Sequence, residues 1–155
     1  MSSASSSTGT TILLVEDDPD DRFLLQRALS AAKIAHPVQV VTDGQKAVDY
    51  LSGIGEYSDR QKYPLPFLVL LDLKLPFVDG FEVLTWLQNR PELRWIVVVV
   101  LTGSAEEKDH RRAYGLGARS YLVKPPSPKM VREVFESLKD HWLGQGAVLP
   151  SASLD

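Results

Sequence analysis

Carboxylate side chains directly follow two apolar runs of the sequence. Glu16 and Asp17 come after TILLV at residues 11–15, and Asp72 closes the run LVLLD at residues 68–72. Carboxylates brought close together raise each other's pKa values or require a cation, and hard oxygen donors without His or Cys favour Mg²⁺ over zinc. Because protein-bound Mg²⁺ usually also contacts a phosphate, these residues predict a site for a phosphoryl group.

Two further polar side chains fit the same chemistry. Thr102 follows IVVVVL at residues 96–101, and Lys124 follows SYLV at residues 120–123. A hydroxyl donor and a compact positive charge both suit phosphoryl oxygens. An aspartate such as Asp72 can itself be the nucleophile and form an aspartyl phosphate. Positioning and charge neutralisation would then supply most of the rate enhancement.

Short apolar runs alternate along the chain with segments of helical period. Five runs read as strands, at residues 11–15, 38–41, 67–71, 96–101 and 120–123. Helix starts are indicated by Asp18-Pro19, by capping-box spacing at Asp79/Glu82 and Ser104/Glu107, and by Ser127-Pro128. The alternation predicts a doubly wound α/β fold with a parallel sheet. Ligands of such folds bind at the carboxyl ends of the strands, where the polar residues above would gather.

Composition limits the other classes of function. The chain has 155 residues, 44% of them hydrophobic, a net charge of -3 and no cysteine. We expect one domain at 11–143, a disordered leader at 1–10 and a flexible tail at 144–155. The mild acidity argues against nucleic-acid binding, and the lack of a long apolar run or signal peptide indicates no membrane segment and a cytoplasmic location. We interpret segment 52–66 as a surface loop and His36, His110 and His141 as surface residues.

Taken together, four segments resemble the receiver domain of two-component response regulators over residues 11–143. They are LLVEDDPDD, LLDLKLPFVDGFEVL, VVVVLTGS and SYLVKPP, in this order. The resemblance implies a CheY-like, flavodoxin-like (βα)5 fold whose five-stranded parallel sheet has the order 2-1-3-4-5.

The resemblance also implies roles for individual residues. Asp72 would be the phosphoacceptor, and Thr102 and Tyr121 the switch residues, while Lys124 would be the cation that binds the phosphoryl group. A Mg²⁺ cofactor would be held by Glu16, Asp17, Asp72 and the backbone carbonyl of Lys74. The peptide bond between Lys124 and Pro125 would be cis.

The implied activity is acceptance of a phosphoryl group from a phosphohistidine on a sensor histidine kinase. The protein would catalyse its own phosphorylation and dephosphorylation and would otherwise be no enzyme. The long loop, the VEDDPDD opening and the absence of an output domain resemble the subgroup that works with phytochrome-type kinases. The readout would be a changed protein surface, which binds a downstream target or phosphotransfer protein, or forms a homodimer through helix 4, strand 5 and helix 5.

Three other classes of protein share parts of this pattern. A phosphohydrolase with an aspartate nucleophile would need a carboxylate two residues after Asp72, where the chain has Lys74. A binding module that works without phosphorylation would lack Asp17, Asp72 or Lys124, all of which are present. A DNA-binding regulator would need a basic face or an added domain. For the dimer, Val131, Phe135 and Trp142 with Tyr114 would form an apolar strip, unless the first two face the sheet.

Overall fold

The computed structural model describes residues 11–103 and 107–144, which form a five-stranded parallel sheet flanked by helices. The strands are β1 Ile12–Val15, β2 Val38–Val41, β3 Leu68–Asp72, β4 Val97–Thr102 and β5 Ser120–Val123. Their order, β2-β1-β3-β4-β5, confirms the predicted doubly wound topology. β3 and β4 each begin and end one residue later than predicted, so that Asp72 and Thr102 are the last residues of their strands.

Five α-helices connect or follow the strands: α1 Pro19–Ala31, α2 Gly44–Ser52, α3 Gly80–Gln88, α4 Glu107–Gly115 and α5 Pro128–Gly144. Asp18 caps α1 by accepting hydrogen bonds from the amides of Asp20 and Asp21. At α3, Asp79 and Glu82 form the predicted capping box, which satisfies otherwise unpaired amides of the first turn. The capping box predicted for α4 lies outside the described residues, because Ser104 is not among them.

Each face of the sheet is buried under its own apolar cluster. Strand side chains alternate between the two, so that Leu13 and Val15 of β1 belong to one cluster and Ile12 and Leu14 to the other. All five residues of β3 are buried. Burial of both faces explains why the central strands are apolar almost throughout, and it holds the strand ends in a rigid frame.

The last helix, α5, does not present the exposed apolar strip that was predicted for a homodimer. Val131 and Phe135 are buried in the core beside the sheet, with Leu138 on the same face of α5. They therefore form no exposed strip with Tyr114, which is 44% exposed on α4. Their spacing on one helix face therefore reflects packing against the sheet, which was the alternative to an exposed strip. The side chain of Trp142 lies outside the described part of the structure.

Two expectations about surface residues were wrong. His36 and His110 are only 7% and 9% exposed, because each packs a ring against an aromatic neighbour, Phe67 and Tyr121 respectively. The side chain of His141 lies outside the described residues. Among residues 11–103 and 107–144, no helix combines the length and apolar character needed to cross a membrane.

Segment 52–66 is largely exposed, as predicted for a surface loop, but specific contacts order it. It contains a 3₁₀ turn at Gly55–Tyr57, and Tyr57 and Tyr63 pack their rings against Tyr50 of α2. Arg60 donates hydrogen bonds to the backbone carbonyls of Tyr50, Leu51 and Tyr63. The guanidinium thereby ties the segment to the carboxyl end of α2.

Candidate functional site

Three carboxylates meet at the carboxyl edge of the sheet. β1 and β3 pair in register, Val15 opposite Leu71, so the next residues, Glu16 and Asp72, emerge side by side. With Asp17 they offer three carboxylate oxygens that lie within 4.8 Å of one another. Glu16 and Asp72 are 1% and 4% exposed, whereas Asp17 is exposed. The structure thus brings together the three side chains that the sequence predicted as a metal site.

Lys124 supplies the positive charge that these carboxylates require. Its ammonium nitrogen lies 2.6 Å from Oε1 of Glu16, 3.1 Å from Oδ2 of Asp72 and 3.0 Å from Oδ2 of Asp21. The backbone amide of Lys124 donates to the carbonyl of Thr102, which ties the end of β5 to that of β4. The following peptide bond, to Pro125, is cis, as the resemblance implied.

Burial and charge shift the proton affinities of this cluster. Burial raises the pKa of Glu16 to about 7; the hydrogen bond with Lys124 opposes the shift and Asp72 adds to it. Burial alone would lower the pKa of Lys124, but hydrogen bonds to Glu16 and Asp21 raise it above the ordinary lysine value. The lysine is therefore charged at neutral pH, and Glu16 is the carboxyl whose charge depends on pH there.

The donor set fits a divalent cation. Oε2 of Glu16 accepts from the amide of Asp18, and Oδ1 of Asp72 accepts from the amide of Lys74. Oε1 of Glu16 is buried, and the ammonium of Lys124 lies 2.6 Å from it. A buried anionic oxygen is costly unless a cation compensates it, and the ammonium supplies that charge in the metal-free protein. Several oxygen donors that lie together at the carboxyl edge of the sheet suit Mg²⁺ or a similar hard ion.

The carboxylates and the lysine line an open cleft of about 460 Å³. Lys74 and Gly103 form part of its rim, and Pro125 closes one side. The volume is sufficient for a phosphoryl group together with a hydrated cation.

The two predicted switch residues lie on the neighbouring strands β4 and β5. Thr102 is buried at the end of β4, next to Gly103 of the rim. Tyr121 is half-buried on β5, where its ring stacks on His110 at 3.8 Å between centroids and meets Tyr114 edge-on at 6.2 Å. The structure therefore places Thr102 at the site edge and Tyr121 on the side of the sheet that faces α4.

Asp21 is a cleft residue that sequence reasoning missed. It lies on the first turn of α1, four residues after Asp17, and contacts the ammonium of Lys124. Asp17 precedes the N-cap of this helix, so helical spacing does not relate it to Asp21. The sequence offered no reason to choose Asp21 over Asp20 or Asp18.

The fold and the site match one family. The family model described as "Response regulator receiver domain" matches residues 12–136, and the chain belongs to this family. It is a receiver-domain response regulator of two-component signalling, a class that is switched by phosphorylation, works with histidine kinases and binds a divalent metal ion.

Particular relatives share most of their length with this chain. It is 43% identical to the probable methanogenesis regulatory protein FilR2 of Methanothrix harundinacea, over 86% of this chain and 83% of FilR2. The structure of the bacteriophytochrome response regulator RtBRR is 43% identical, with a TM-score of 0.77 over 84% of this chain and 78% of RtBRR. The Mn²⁺-bound structure of the response regulator Rcp1, known from Synechocystis, is 38% identical, with a TM-score of 0.70 over 91% and 99%.

Proposed function

We propose that Asp72 is the residue that receives the phosphoryl group. One observation carries this assignment: Asp72 is buried at the end of the central strand, and its Oδ2 lies 3.1 Å from the ammonium of Lys124. The carboxylate has apolar strand residues behind it and an open cleft in front. It is thereby fixed in position and compensated in charge, while one edge stays accessible to a phosphoryl donor.

The chemistry is a displacement at phosphorus. A carboxylate oxygen of Asp72 forms the new P–O bond as the P–N bond of a phosphohistidine breaks, and the imidazole leaves with its electron pair. Lys124 then compensates the added negative charge. Attack of water on the aspartyl phosphate returns the free carboxylate and inorganic phosphate. We propose no enzymatic activity beyond this handling of the protein's own phosphoryl group.

We assign the divalent ion as Mg²⁺, held by Glu16, Asp17, Asp72 and the backbone carbonyl of Lys74. When bound, Mg²⁺ neutralises charge on the phosphoryl oxygens. The three carboxylate oxygens clustered within 4.8 Å of one another support this assignment. The Rcp1 structure holds Mn²⁺, and a site of hard oxygen donors accepts either ion.

For the readout we propose Thr102 and Tyr121 as the switch residues, moving toward the phosphoryl group and away from His110, respectively. The altered surface would be α4, β5 and α5, where Tyr114 is exposed. This surface would bind a downstream protein or a second copy of the chain. A phytochrome-type histidine kinase is the proposed phosphodonor, because RtBRR is named as a bacteriophytochrome response regulator.

The assignment of Asp72 is tested by intact-mass measurement after incubation with acetyl phosphate and Mg²⁺. We expect one phosphoryl adduct, which is absent with EDTA and absent in Asp72→Asn. Asp20→Asn is the matched control: Asp20 is an exposed aspartate outside the cluster, and this variant should be phosphorylated like the wild type. An adduct that persists in Asp72→Asn would move the acceptor to another residue.

The choice of kinase is tested separately, with a purified phytochrome-type histidine kinase that carries a labelled phosphohistidine. We expect transfer to the wild type within seconds to minutes and none to Asp72→Asn. A histidine kinase of another sensor class, at the same concentration, should transfer much more slowly. Equal rates from the two kinases would contradict the phytochrome assignment while leaving the role of Asp72 intact.

A further inference from the structure

The contact between Asp21 and Lys124 joins the first helix to the end of the last strand. Oδ2 of Asp21 lies 3.0 Å from the ammonium nitrogen and accepts a hydrogen bond from it. The two residues are 103 positions apart in the sequence. The side chain of Asp21 is 34% exposed, so it reaches into the cleft from its outer edge.

Asp21 differs from the other two partners of Lys124. Glu16 and Asp72 belong to the cluster that we assign to the metal, and Asp21 does not. An ammonium has three N–H donors, one for each of these carboxylates. A divalent cation shared by Glu16 and Asp72 would occupy their lone pairs and repel the ammonium, so their hold on Lys124 must weaken when the ion is bound.

We propose that Asp21 is a positioning residue that keeps the ammonium of Lys124 at the acceptor carboxylate when Glu16 and Asp72 share a divalent cation. Asp21 acts through Lys124 and touches neither the acceptor nor the phosphoryl group. The proposal rests on the proposed function of Asp72 and deepens it. Without Asp21, the flexible lysine side chain would be free to swing out of the cleft once the metal enters.

The competing explanation is that Asp21 merely fastens α1 to the rest of the fold. A partly exposed ion pair contributes little to the free energy of unfolding. If Asp21 had only this structural role, its removal would therefore leave the position of Lys124 and the phosphorylation rate unchanged. Asp20 offers a matched control, because it lies on the same turn and its amide also donates to Asp18, while its side chain is exposed. Asp20→Asn and Asp21→Asn therefore remove the same charge from the same helix end.

The first experiment reads the lysine directly and needs no phosphorylation. Acetylation of Lys124 by acetic anhydride is followed by peptide mass spectrometry, with Mg²⁺ or with EDTA. In Mg²⁺ we expect Asp21→Asn to be acetylated at least about threefold faster than the wild type, with a smaller difference in EDTA, where Glu16 and Asp72 still hold the ammonium. Asp20→Asn should match the wild type, and Asp21→Glu should restore much of the protection. Equal rates in Asp21→Asn and Asp20→Asn would overturn the proposal.

The second experiment measures phosphorylation by acetyl phosphate alongside Mg²⁺ affinity and thermal unfolding. We expect Asp21→Asn to lower the phosphorylation rate by about threefold to tenfold, with the Mg²⁺ dissociation constant unchanged within about twofold. A faster reaction would mean that Asp21 chiefly repels the donor, and a parallel loss of Mg²⁺ binding would place it in the metal cluster; either result overturns the proposal. If the wild type takes up no phosphoryl group, the proposed function fails, and the acetylation rates still decide the role of Asp21.

Discussion

The ammonium of Lys124 lies 2.6 Å from Oε1 of Glu16 and so joins the end of β5 to the end of β1 at the carboxyl edge of the sheet. Glu16 is almost completely buried, and the lysine is its only close positive partner among the described side chains. Removing one member of such a pair leaves the other charge uncompensated in an apolar setting. The stability of the protein is therefore coupled to the residues of its proposed active cleft.

Lys124→Met is expected to destabilise the metal-free protein in a pH-dependent way. Near pH 8 the free energy of unfolding should fall by about 2–4 kcal/mol, because Glu16 and Asp72 lose their counter-charge. Near pH 5.5 the loss should be smaller, since the raised pKa of Glu16 lets that carboxyl take up a proton instead. Urea unfolding at the two pH values measures both.

The control for this variant is Lys139→Met, which removes an exposed lysine 3.7 Å from Glu136 on α5. Exposed pairs contribute about 0–1 kcal/mol, so we expect little change at either pH. A Lys124→Met protein that loses the same free energy at both pH values would show that Glu16 does not respond to the missing charge.

Metal affinity should depend on pH through Glu16. Its pKa of about 7 means that the carboxyl is mostly protonated near pH 6 and mostly ionised near pH 8, and a metal ligand must be ionised. We expect the Mg²⁺ dissociation constant to be roughly tenfold larger near pH 6 than near pH 8. Calorimetric titration measures it, and Glu16→Gln should bind more weakly with most of this pH dependence removed.

The same shift has a consequence for the metal-free protein. The pKa of Glu16 is raised in the folded state above its ordinary value of 4.5, so the folded state binds the proton more tightly than the unfolded chain. This contribution to stability is fully present below about pH 4.5 and is lost as the pH rises to about 7. Comparison with Glu16→Gln, whose side chain does not titrate, isolates it from the other groups, and parallel pH profiles would contradict the shift.

Periodicity and strand ends sufficed to predict much of this molecule. An apolar run buried on both faces could only be a central strand, so the position of Asp72 at its end followed, as did its proximity to Glu16 across a parallel pair. The contact from Asp21 to Lys124 could not be predicted, because it depends on how α1 tilts over the end of β5. The same holds for His110, whose polar ring gave no sign that Tyr121 would cover it.

The internal order of segment 52–66 could not be predicted for a related reason. Its apolar residues follow neither helical nor strand period, so pattern analysis reads a loop. Its order comes instead from three tyrosine rings and from Arg60, whose partners are backbone carbonyls that a sequence does not reveal. The sequence therefore predicted the exposed loop but not the contacts that order it.

Arg60→Met tests whether that side chain organises the segment. The variant keeps an aliphatic stem but loses the hydrogen bonds to the carbonyls of Tyr50, Leu51 and Tyr63. We expect a loss of about 1–3 kcal/mol in the free energy of unfolding, because charge-assisted hydrogen bonds to three backbone carbonyls disappear. Phosphorylation of Asp72 should be unchanged, since the segment lies away from the cleft. Lys62→Met, at an exposed lysine nearby, should have little effect, and equal melting of all three proteins would contradict the inference.

Gly80→Ala tests how closely α3 approaches the acceptor. A methyl group on Gly80 would lie 2.5 Å from the carbonyl oxygen of Asp72 and 2.6 Å from the Cα of Leu73, so either the helix or the acceptor backbone must move. We expect a loss of about 1–3 kcal/mol in stability. Phosphorylation by acetyl phosphate should also be slower, because the movement changes the distance between Asp72 and Lys124.

Gly115→Ala is the matched control, since the space around Gly115 is open and alanine should leave the protein equally or slightly more stable. A Gly80→Ala protein that loses stability but is phosphorylated at the wild-type rate would mean that the strain is relieved by movement of α3, with Asp72 held in place by β3.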